Sequence, residues 1–335
     1  METSKAQNAA IKLLDKNKIG QLLEKWMGSY NLIAPAKEGE VLTFQEVGNK
    51  NDIIINDDLP YKSPKEILFP RIQKILNFTR EGADEIEPSK QKRLLFGVRP
   101  CDLEALGVLD AVLGSGKYID PYYVKLRENT IIVGLGCLNE KVGCFCTERG
   151  IDKGFSAACD VFFVDRGDHY EMTVLTEKGE SILSPCLDLL QEGGEKAITP
   201  GNLESKLEVK APVKDLFDKV NWDLLTEKCQ GCGICTYICP TCHCFGFKDI
   251  REEDSEARYR LWDSCMYPQF TAHASGHNPR PSTKERYRQR VLHKYVYIKE
   301  NTGLTACTGC GRCIRSCPAG MNIKSVVTEI MEELS

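Results

Sequence analysis

The sequence lacks the features that would tie the chain to a membrane or to nucleic acid. It has no run of about 18 consecutive apolar residues, so no membrane-spanning helix is expected. Residues 1–20 mix Lys and Asp with Leu and Ile and have no apolar core of the signal-peptide type. The net charge of −4 over 335 residues favours neither a nucleic-acid partner nor an anionic membrane surface. We therefore expect a cytoplasmic protein.

Signatures of a catalytic or dinucleotide-binding site are also missing. No G-x-G-x-x-G motif follows a strand-like apolar run, so no dinucleotide site is evident. No nucleophile with an attendant base stands out. The sequence therefore predicts no catalytic residue on this chain.

Cysteine, by contrast, is abundant: the chain has 17, and many of them occur in tight clusters. In a small secreted protein, so many cysteines would indicate disulfides. This chain is long and carries no recognisable export signal, so its clustered cysteines indicate metal ligands in a reducing compartment.

Two copies of the motif C-x2-C-x2-C-x3-C-P lie in the C-terminal part of the chain. The first run contains Cys229, Cys232, Cys235 and Cys239, and the second contains Cys307, Cys310, Cys313 and Cys317. This pattern is typical of [4Fe–4S] clusters, and in two-cluster ferredoxins the fourth cysteine ligates the other cluster. The sequence thus predicts one cluster on Cys229, Cys232, Cys235 and Cys317, and another on Cys307, Cys310, Cys313 and Cys239.

The alternative to iron–sulfur clusters is zinc, but zinc usually shows two separated pairs of ligands instead of two complete four-cysteine runs. The spacer between the runs is informative as well, because 67 residues separate Cys239 from Cys307. Such a long spacer resembles the α-helical ferredoxin arrangement, in which helices join the two cluster loops. The two predicted clusters would lie near each other, which suits electron relay.

A second cysteine set lies in the N-terminal part and consists of Cys101, Cys137, Cys144 and Cys146. The first two follow the apolar runs Arg93–Val98 and Thr130–Leu135, which are typical of buried strands. If those strands are parallel, both cysteines lie at the sheet edge where α/β folds usually bind ligands. This set predicts a third [4Fe–4S] cluster, with zinc and buried unligated thiols as alternatives.

The remaining cysteines are interpreted as packing residues. For Cys242, Cys244 and Cys265 we favour packing and weak S–H hydrogen bonds near the clusters over a further metal site completed by a residue such as His277. Cys159 and Cys186 stand alone and are predicted to be structural.

The stretch Arg280–Lys294 carries six basic residues against one acidic residue. We favour a solvated helix face, or pairing of these basic residues with carboxylates. The alternatives are a docking surface and a positive charge that raises the reduction potentials of nearby clusters.

The pattern of elements predicts an α/β domain at residues 1–205 and a mainly α-helical, ferredoxin-like dicluster domain at residues 206–335. The boundary is placed in the polar segment 191–214. Helices are predicted at 9–27, at 104–113 with Asp102 as N-cap, and at 215–227. Strands are predicted at 41–47, 53–55, 93–98, 130–135, 161–165 and 169–175, with a short strand signal at 296–298.

Several short motifs together resemble one known family. They are Gly97-Val-Arg-Pro-Cys-Asp102, the Cys137 to Cys146 group, Cys239-Pro-Thr-Cys-His-Cys244, Trp262-Asp-Ser-Cys-Met266, Gly276-His-Asn-Pro-Arg-Pro281 and the Cys307 run. Over residues 10–330 the chain resembles a family of iron–sulfur subunits that occurs in anaerobic sulfite reductase and, as the beta subunit, in sulfhydrogenase. The dicluster ligands of that family map onto the eight cysteines of the two runs. Its N-terminal cysteine set maps onto Cys101, Cys137, Cys144 and Cys146.

The resemblance implies an electron-transfer subunit of a hetero-oligomeric complex. Such subunits pass electrons between a flavin- and [2Fe–2S]-containing subunit that reacts with NAD(P) and a terminal catalytic subunit. The terminal subunit is a sirohaem sulfite reductase, which we favour here, or a nickel–iron hydrogenase. The alternatives are a subunit of a flavin-based bifurcating or heterodisulfide reductase-like complex, an independent iron–sulfur reductase, and a zinc or redox-sensing protein.

Overall fold

The computed structural model describes residues 7–198, 204–252 and 255–334, which form two β-sheets and a set of mostly short helices. The strands are β1 (Gln7–Asp15), β2 (Asn31–Glu38), β3 (Val41–Glu46), β4 (Ile72–Phe78), β5 (Ala83–Glu85), β6 (Arg93–Val98), β7 (Thr130–Leu135), β8 (Val161–Asp165), β9 (His169–Val174), β10 (Leu190–Ile198), β11 (Phe245–Glu252) and β12 (Ser255–Trp262).

The α-helices are α1 (Ile19–Met27), α2 (Lys65–Leu68), α3 (Pro100–Leu113), α4 (Pro121–Glu128), α5 (Glu177–Leu183), α6 (Val213–Asp218), α7 (Trp222–Thr226), α8 (Ile234–Tyr237), α9 (Thr283–Leu292), α10 (Ile298–Thr302), α11 (Arg312–Arg315) and α12 (Ile323–Glu333). A π-helical turn, His293–Tyr297, joins α9 to α10. None of the helices in the described residues is long and apolar enough to cross a bilayer.

The larger sheet has eight strands in the order β10-β1-β9-β8-β7-β6-β2-β3. Its central pairs β2–β6, β6–β7 and β7–β8 are parallel, so the condition under which Cys101 and Cys137 were expected at one sheet edge is met. Successive residues point to opposite faces of a strand. Phe96 and Val133 accordingly pack in one core and Leu95 and Ile132 in another, so the sheet is covered on both sides. This is the α/β architecture expected for the N-terminal part.

Most of the other predicted strands are confirmed, with small changes at their ends. The predictions at 41–47, 161–165 and 169–175 correspond to β3, β8 and β9. Residues 53–55 form only a single bridge, between Ile53 and Ala36. The helix predicted at 215–227 is divided into α6 and α7. Residues 199–203, inside the predicted boundary segment, lie outside the described residues.

The helix predicted over residues 9–27 is wrong for its first half, because residues 7–15 form strand β1, and only the 3-10 turn Lys16–Lys18 and α1 are helical. The buried residues of β1 are Ala9, Ile11 and Leu14. The pairing of β1 with β10 shifts register between Ile11 and Lys12. The extra residue of this bulge is Gly193 of β10, and β1 itself pairs with β9 without a shift. Leu14 therefore lies on the face of β1 opposite to Ala9 and Ile11, and the buried spacing of two and then three residues imitates a helical face.

The N-cap predicted at Asp102 is also wrong. Helix α3 begins at Pro100, and Arg99 is its N-cap. The first position of a helix is favourable for proline, because an N–H at that position would have no partner within the helix. Cys101 therefore lies on the first turn of α3, immediately after β6. Cys137 follows β7, the parallel neighbour of β6, so both cysteines lie at the same edge of the sheet, as predicted.

The smaller sheet has four strands in the order β11-β12-β4-β5. The hairpin β11–β12 belongs to the C-terminal part of the chain and pairs with β4 from the N-terminal part. The C-terminal part is therefore only partly helical, which corrects the expectation of a mainly helical domain. The strand signal at 296–298 is wrong, because these apolar residues are buried within the helical turn and α10. Short apolar runs do not separate buried helix from buried strand.

Candidate metal centres

Each C-terminal cysteine run turns through two glycines with left-handed backbone. The φ angles are +67° at Gly231 and +78° at Gly233, and +64° at Gly309 and +70° at Gly311. Residues with a Cβ are strained at these angles, so glycine is required for this turn. The second glycine of each pair precedes α8 or α11, which places the third cysteine of each run on the first turn of a short helix. The repeat in the sequence is thus a repeat in local structure.

Two cavities are lined by the cysteines of these runs. The first, of about 470 Å³, is lined by Cys229, Cys232, Cys235 and Cys317. The second, of about 320 Å³, is lined by Cys239, Cys307, Cys310 and Cys313. The fourth cysteine of each run therefore borders the cavity of the other run. The cavities are adjacent, since Cys313 and Arg290 line both.

Arg290 is a buried cation between the two cavities. Its side chain is enclosed, with 2% of the residue exposed, and it donates a hydrogen bond to the carbonyl of Cys235 at 3.1 Å. Its Nε has no hydrogen-bond partner in the part of the chain that the structure describes. Two other buried arginines, Arg260 and Arg312, pair with carboxylates, but Arg290 has no carboxylate partner among the described residues. A buried charge without a counter-charge costs several kcal/mol, about the penalty of an unpaired ion in a protein interior.

Lys294 is a second buried cation beside the second cavity. Its Nζ donates to Thr241 Oγ1 at 2.7 Å, and that oxygen lies 3.3 Å from Cys239 Sγ. A hydrogen bond from Cys242 lowers the pKa of Cys239 well below that of an ordinary thiol, and the charges of Lys294 and Arg290 act in the same direction. Thiolates are the form that ligates metals. Four thiolates around iron and sulfide would supply the negative charge that these cations lack, so the residues fit such clusters.

The basic stretch Arg280–Lys294 is therefore not a solvated face throughout. Arg286, Arg290 and Lys294 recur every four residues and are all buried, which places them on one side of α9 and the turn that follows it. The expectation of a solvated or carboxylate-paired face is wrong for this side. The signal in the sequence was the four-residue spacing of the basic residues, which is the spacing of neighbours on one helix face.

The N-terminal cysteine set lies against the second run. Cys101, Cys146 and Cys310 pack in one buried cluster, and the thiol of Cys144 donates to the carbonyl of Cys310 at 3.4 Å. Burial raises the pKa of Cys146 to about 12, and Cys144 and Cys137 add to this effect. Without a metal the thiol of Cys146 would be protonated, whereas coordination removes the proton. The structure thus brings Cys101, Cys144 and Cys146 against the second run, and Cys137 lies close enough to these three cysteines to interact with them electrostatically.

The loop that carries Cys144 and Cys146 makes close backbone contact with the second run. The amide of Phe145 donates to the carbonyl of Gly309 at 2.8 Å, and the ring of Phe145 lines the second cavity. A Cβ on Gly309 would lie 2.7 Å from the carbonyl oxygen of Phe145. Glycine at this position therefore serves both the turn and the approach of the N-terminal loop.

The cysteines predicted to be packing residues form hydrogen-bonded contacts. Cys242 bonds to Cys239, and Cys244 bonds to Cys265 at the base of the β11–β12 hairpin. Cys159 and Cys186 are buried, and each donates to a backbone carbonyl. In the part of the chain that the structure describes, no three side chains of His, Cys, Asp or Glu are grouped so as to hold a single metal ion.

Comparison with known proteins agrees with the cysteine patterns. A family model described as a 4Fe-4S dicluster domain matches residues 228–321, which contain both cysteine runs. Over 313 residues the chain is 30% identical to the protein named Sulfhydrogenase 2 subunit beta from Pyrococcus furiosus. This similarity covers 90% of the present chain and 92% of the relative.

Proposed function

The chain belongs to the family of the sulfhydrogenase beta subunit, and from this premise we propose that it relays electrons between two other subunits of one oxidoreductase complex. One partner would be a flavin- and [2Fe–2S]-containing subunit that exchanges electrons with NAD(P). The other would be a terminal catalytic subunit. The observation that carries the proposal is the pair of adjacent cavities lined by crossed sets of cysteines.

We assign the ligands of the two clusters as the sequence predicted them: Cys229, Cys232, Cys235 and Cys317 for the first, and Cys307, Cys310, Cys313 and Cys239 for the second. The cavity linings support this assignment. Each cluster, when bound, would take up and release one electron at a time. The protein would supply the thiolates, the enclosure from water and the positive charge of Arg290 and Lys294.

We further propose a third [4Fe–4S] cluster on Cys101, Cys137, Cys144 and Cys146. Its support is the position of this set at the edge of the parallel sheet and its packing against Cys310. A third cluster there would extend the relay from the C-terminal part into the N-terminal part. The proposed order is the first cluster, then the second, then the third.

For the terminal partner we propose a hydrogenase-type subunit, since the Pyrococcus relative is named as part of a sulfhydrogenase. A sulfite reductase-type subunit, which the motifs favoured, is the second candidate.

We propose a division of the chain into two domains, residues 1–205 and 206–335, with β4 of the first pairing with β12 of the second. We place the complex in the cytoplasm, where thiols are kept reduced.

The test is a measurement of iron, acid-labile sulfide and reducibility on anaerobically prepared protein. Two clusters correspond to about eight iron atoms per chain and three to about twelve. We expect dithionite to produce the paramagnetic signals of reduced clusters, and the pure chain to show no turnover with NAD(P)H alone. Rapid oxidation of NAD(P)H by the pure chain would contradict the relay role. Co-purification from the native source identifies the terminal partner.

A further inference from the structure

A pocket of about 750 Å³ opens to solvent beside the first cavity. Cys232 and Ile234 line both spaces, so the pocket reaches the edge of the proposed first cluster. All 17 cysteines lie in the described residues, and Cys232 is the only one of them that is exposed. The pocket is therefore the place where a molecule from solvent comes closest to a proposed cluster ligand.

The walls of the pocket are aromatic, and three of the four rings are held in place by hydrogen bonds. They include Tyr61, Tyr237, Trp262 and Tyr267. The hydroxyl of Tyr237 donates to the carbonyl of Trp262 at 3.1 Å, and that of Tyr267 to the carbonyl of Cys232 at 3.4 Å. The indole of Trp262 donates to the carbonyl of Phe69 at 3.0 Å. Rigid aromatic walls bind planar rings with little loss of side-chain entropy.

Apart from Cys232, Ile234 and Ile238, the remaining lining is polar and carries more positive than negative charge. It includes Lys62, Ser63, Glu66 and Arg71. Arg71 is exposed and bonds to Glu66 through its Nε and one Nη, which leaves its second Nη without a partner in the described residues. A guanidinium at the mouth of an aromatic pocket suits a planar ligand with a phosphate group.

The proposed first cluster, next to the pocket, limits which kinds of ligand could exchange electrons with it. Clusters exchange single electrons, whereas nicotinamides transfer hydride. Flavins are planar, aromatic and able to release two electrons one at a time. We propose that this pocket binds a flavin of mononucleotide size, with its ring against the tyrosines and its phosphate near Arg71.

The choice of a flavin and the electron exchange both rest on the proposed relay function. An anionic reduced flavin would lose two electrons and one proton to become the oxidised flavin. The proton would pass to solvent, and each electron would reduce one of the two proposed C-terminal clusters. In the opposite direction, two reduced clusters and one proton from solvent would regenerate the reduced flavin.

The experiment is a fluorescence titration of the anaerobic, iron-containing full chain with FMN, and in parallel with riboflavin, which has no phosphate. We expect saturable quenching by the protein, with riboflavin bound at least tenfold more weakly than FMN. Tyr61→Ser should weaken both ligands at least tenfold, and Arg71→Gln should remove most of the difference between them. Both side chains are exposed at the surface, so the fold should be retained.

Tyr118→Ser is the matched control, because Tyr118 is a tyrosine exposed to 79% outside the pocket and its replacement should leave both affinities unchanged. Absence of saturable FMN binding would overturn the proposal, and so would binding that Tyr61→Ser and Arg71→Gln leave unaltered. A chain without dithionite-reducible clusters would overturn the relay function instead. A chain with reducible clusters that does not bind FMN would overturn only the flavin site.

Discussion

The carboxylate of Asp102 and the guanidinium of Arg312 form a buried, bidentate ion pair. Two nitrogens of Arg312 donate to the two carboxylate oxygens at 2.6 and 2.8 Å, and both side chains are almost completely enclosed. The third nitrogen, Nε, donates to the carbonyl of Pro60 at 2.9 Å. Asp102 lies next to Cys101 on α3, and Arg312 next to Cys313 on α11. The pair therefore fastens the N-terminal cysteine set to the second cysteine run.

Removing the charge of Asp102 should destabilise the chain strongly. In Asp102→Asn, Arg312 stays buried without its counter-charge, and the expected loss is about 3–5 kcal/mol in the free energy of unfolding. The measurement is anaerobic denaturant unfolding followed by circular dichroism. Asp249→Asn is the matched control, since Asp249 makes an equally bidentate pair with Arg258, but at the surface. Its loss should be much smaller, because solvent screens an exposed pair, and equal losses in the two variants would contradict the prediction.

Cys101→Ser tests the proposed third cluster. If Cys101 is a ligand, the iron content should fall from about twelve to about eight atoms per chain, with a matching loss of acid-labile sulfide. Cys186→Ser is the control, because Cys186 is equally buried but belongs to none of the three cysteine sets. It should retain the iron content of the unmodified chain. An unchanged iron content in Cys101→Ser would exclude Cys101 as a ligand.

Gly309→Ala should disturb the contact between the N-terminal loop and the second run. The new Cβ would lie 2.7 Å from Phe145 O and Cys146 N, in addition to the strain of a φ of +64°. Gly303→Ala shares the strain, with a φ of +77°, but its Cβ would meet no atom within 4 Å. The control should lose about 1–2 kcal/mol. Gly309→Ala should lose more and should also lose iron, as thermal unfolding and iron assay would reveal.

Local signals predicted the centre of the fold and the cysteine loops well. The strands at Arg93–Val98 and Thr130–Leu135 are buried on both faces, and such continuous apolar runs depend little on what lies elsewhere in the chain. The cysteine runs were equally clear, because each run carries its own turn glycines. Parallel pairing then sufficed to place Cys101 and Cys137 at one edge of the sheet.

What the sequence did not reveal depends on distant partners. Strand β1 is fixed by β9 and β10, which lie more than a hundred residues further along, and its buried residues lie on both faces, which disguises the strand period. The hairpin β11–β12 is completed by β4 from the other part of the chain. The same holds for Asp102, whose position near a helix start suggested a cap. Its actual partner, Arg312, is 210 residues away.

The guanidinium of Arg290 lies between the two C-terminal cavities. It has no carboxylate partner in the described residues. Reduction adds negative charge to a cluster, so a nearby buried cation favours the reduced form. Arg290→Gln should therefore lower the midpoint potentials of both clusters, each by at least about 59 mV, a tenfold change for a one-electron couple. Anaerobic redox titration followed by electron paramagnetic resonance measures both values.

Arg290→Lys and Arg288→Gln separate the charge of Arg290 from its packing. Arg290→Lys keeps the charge and should shift the potentials much less than Arg290→Gln. Arg288 lies on the same helix, but its guanidinium is placed 3.9 Å over the exposed ring of Phe217, so its replacement should leave both potentials unchanged. A shift in only one potential would mean that Arg290 acts on a single cluster. If Arg290→Gln keeps its full iron content and both potentials are unchanged, the prediction is wrong. The charge of Arg290 would then be compensated by other groups and would not influence the two clusters.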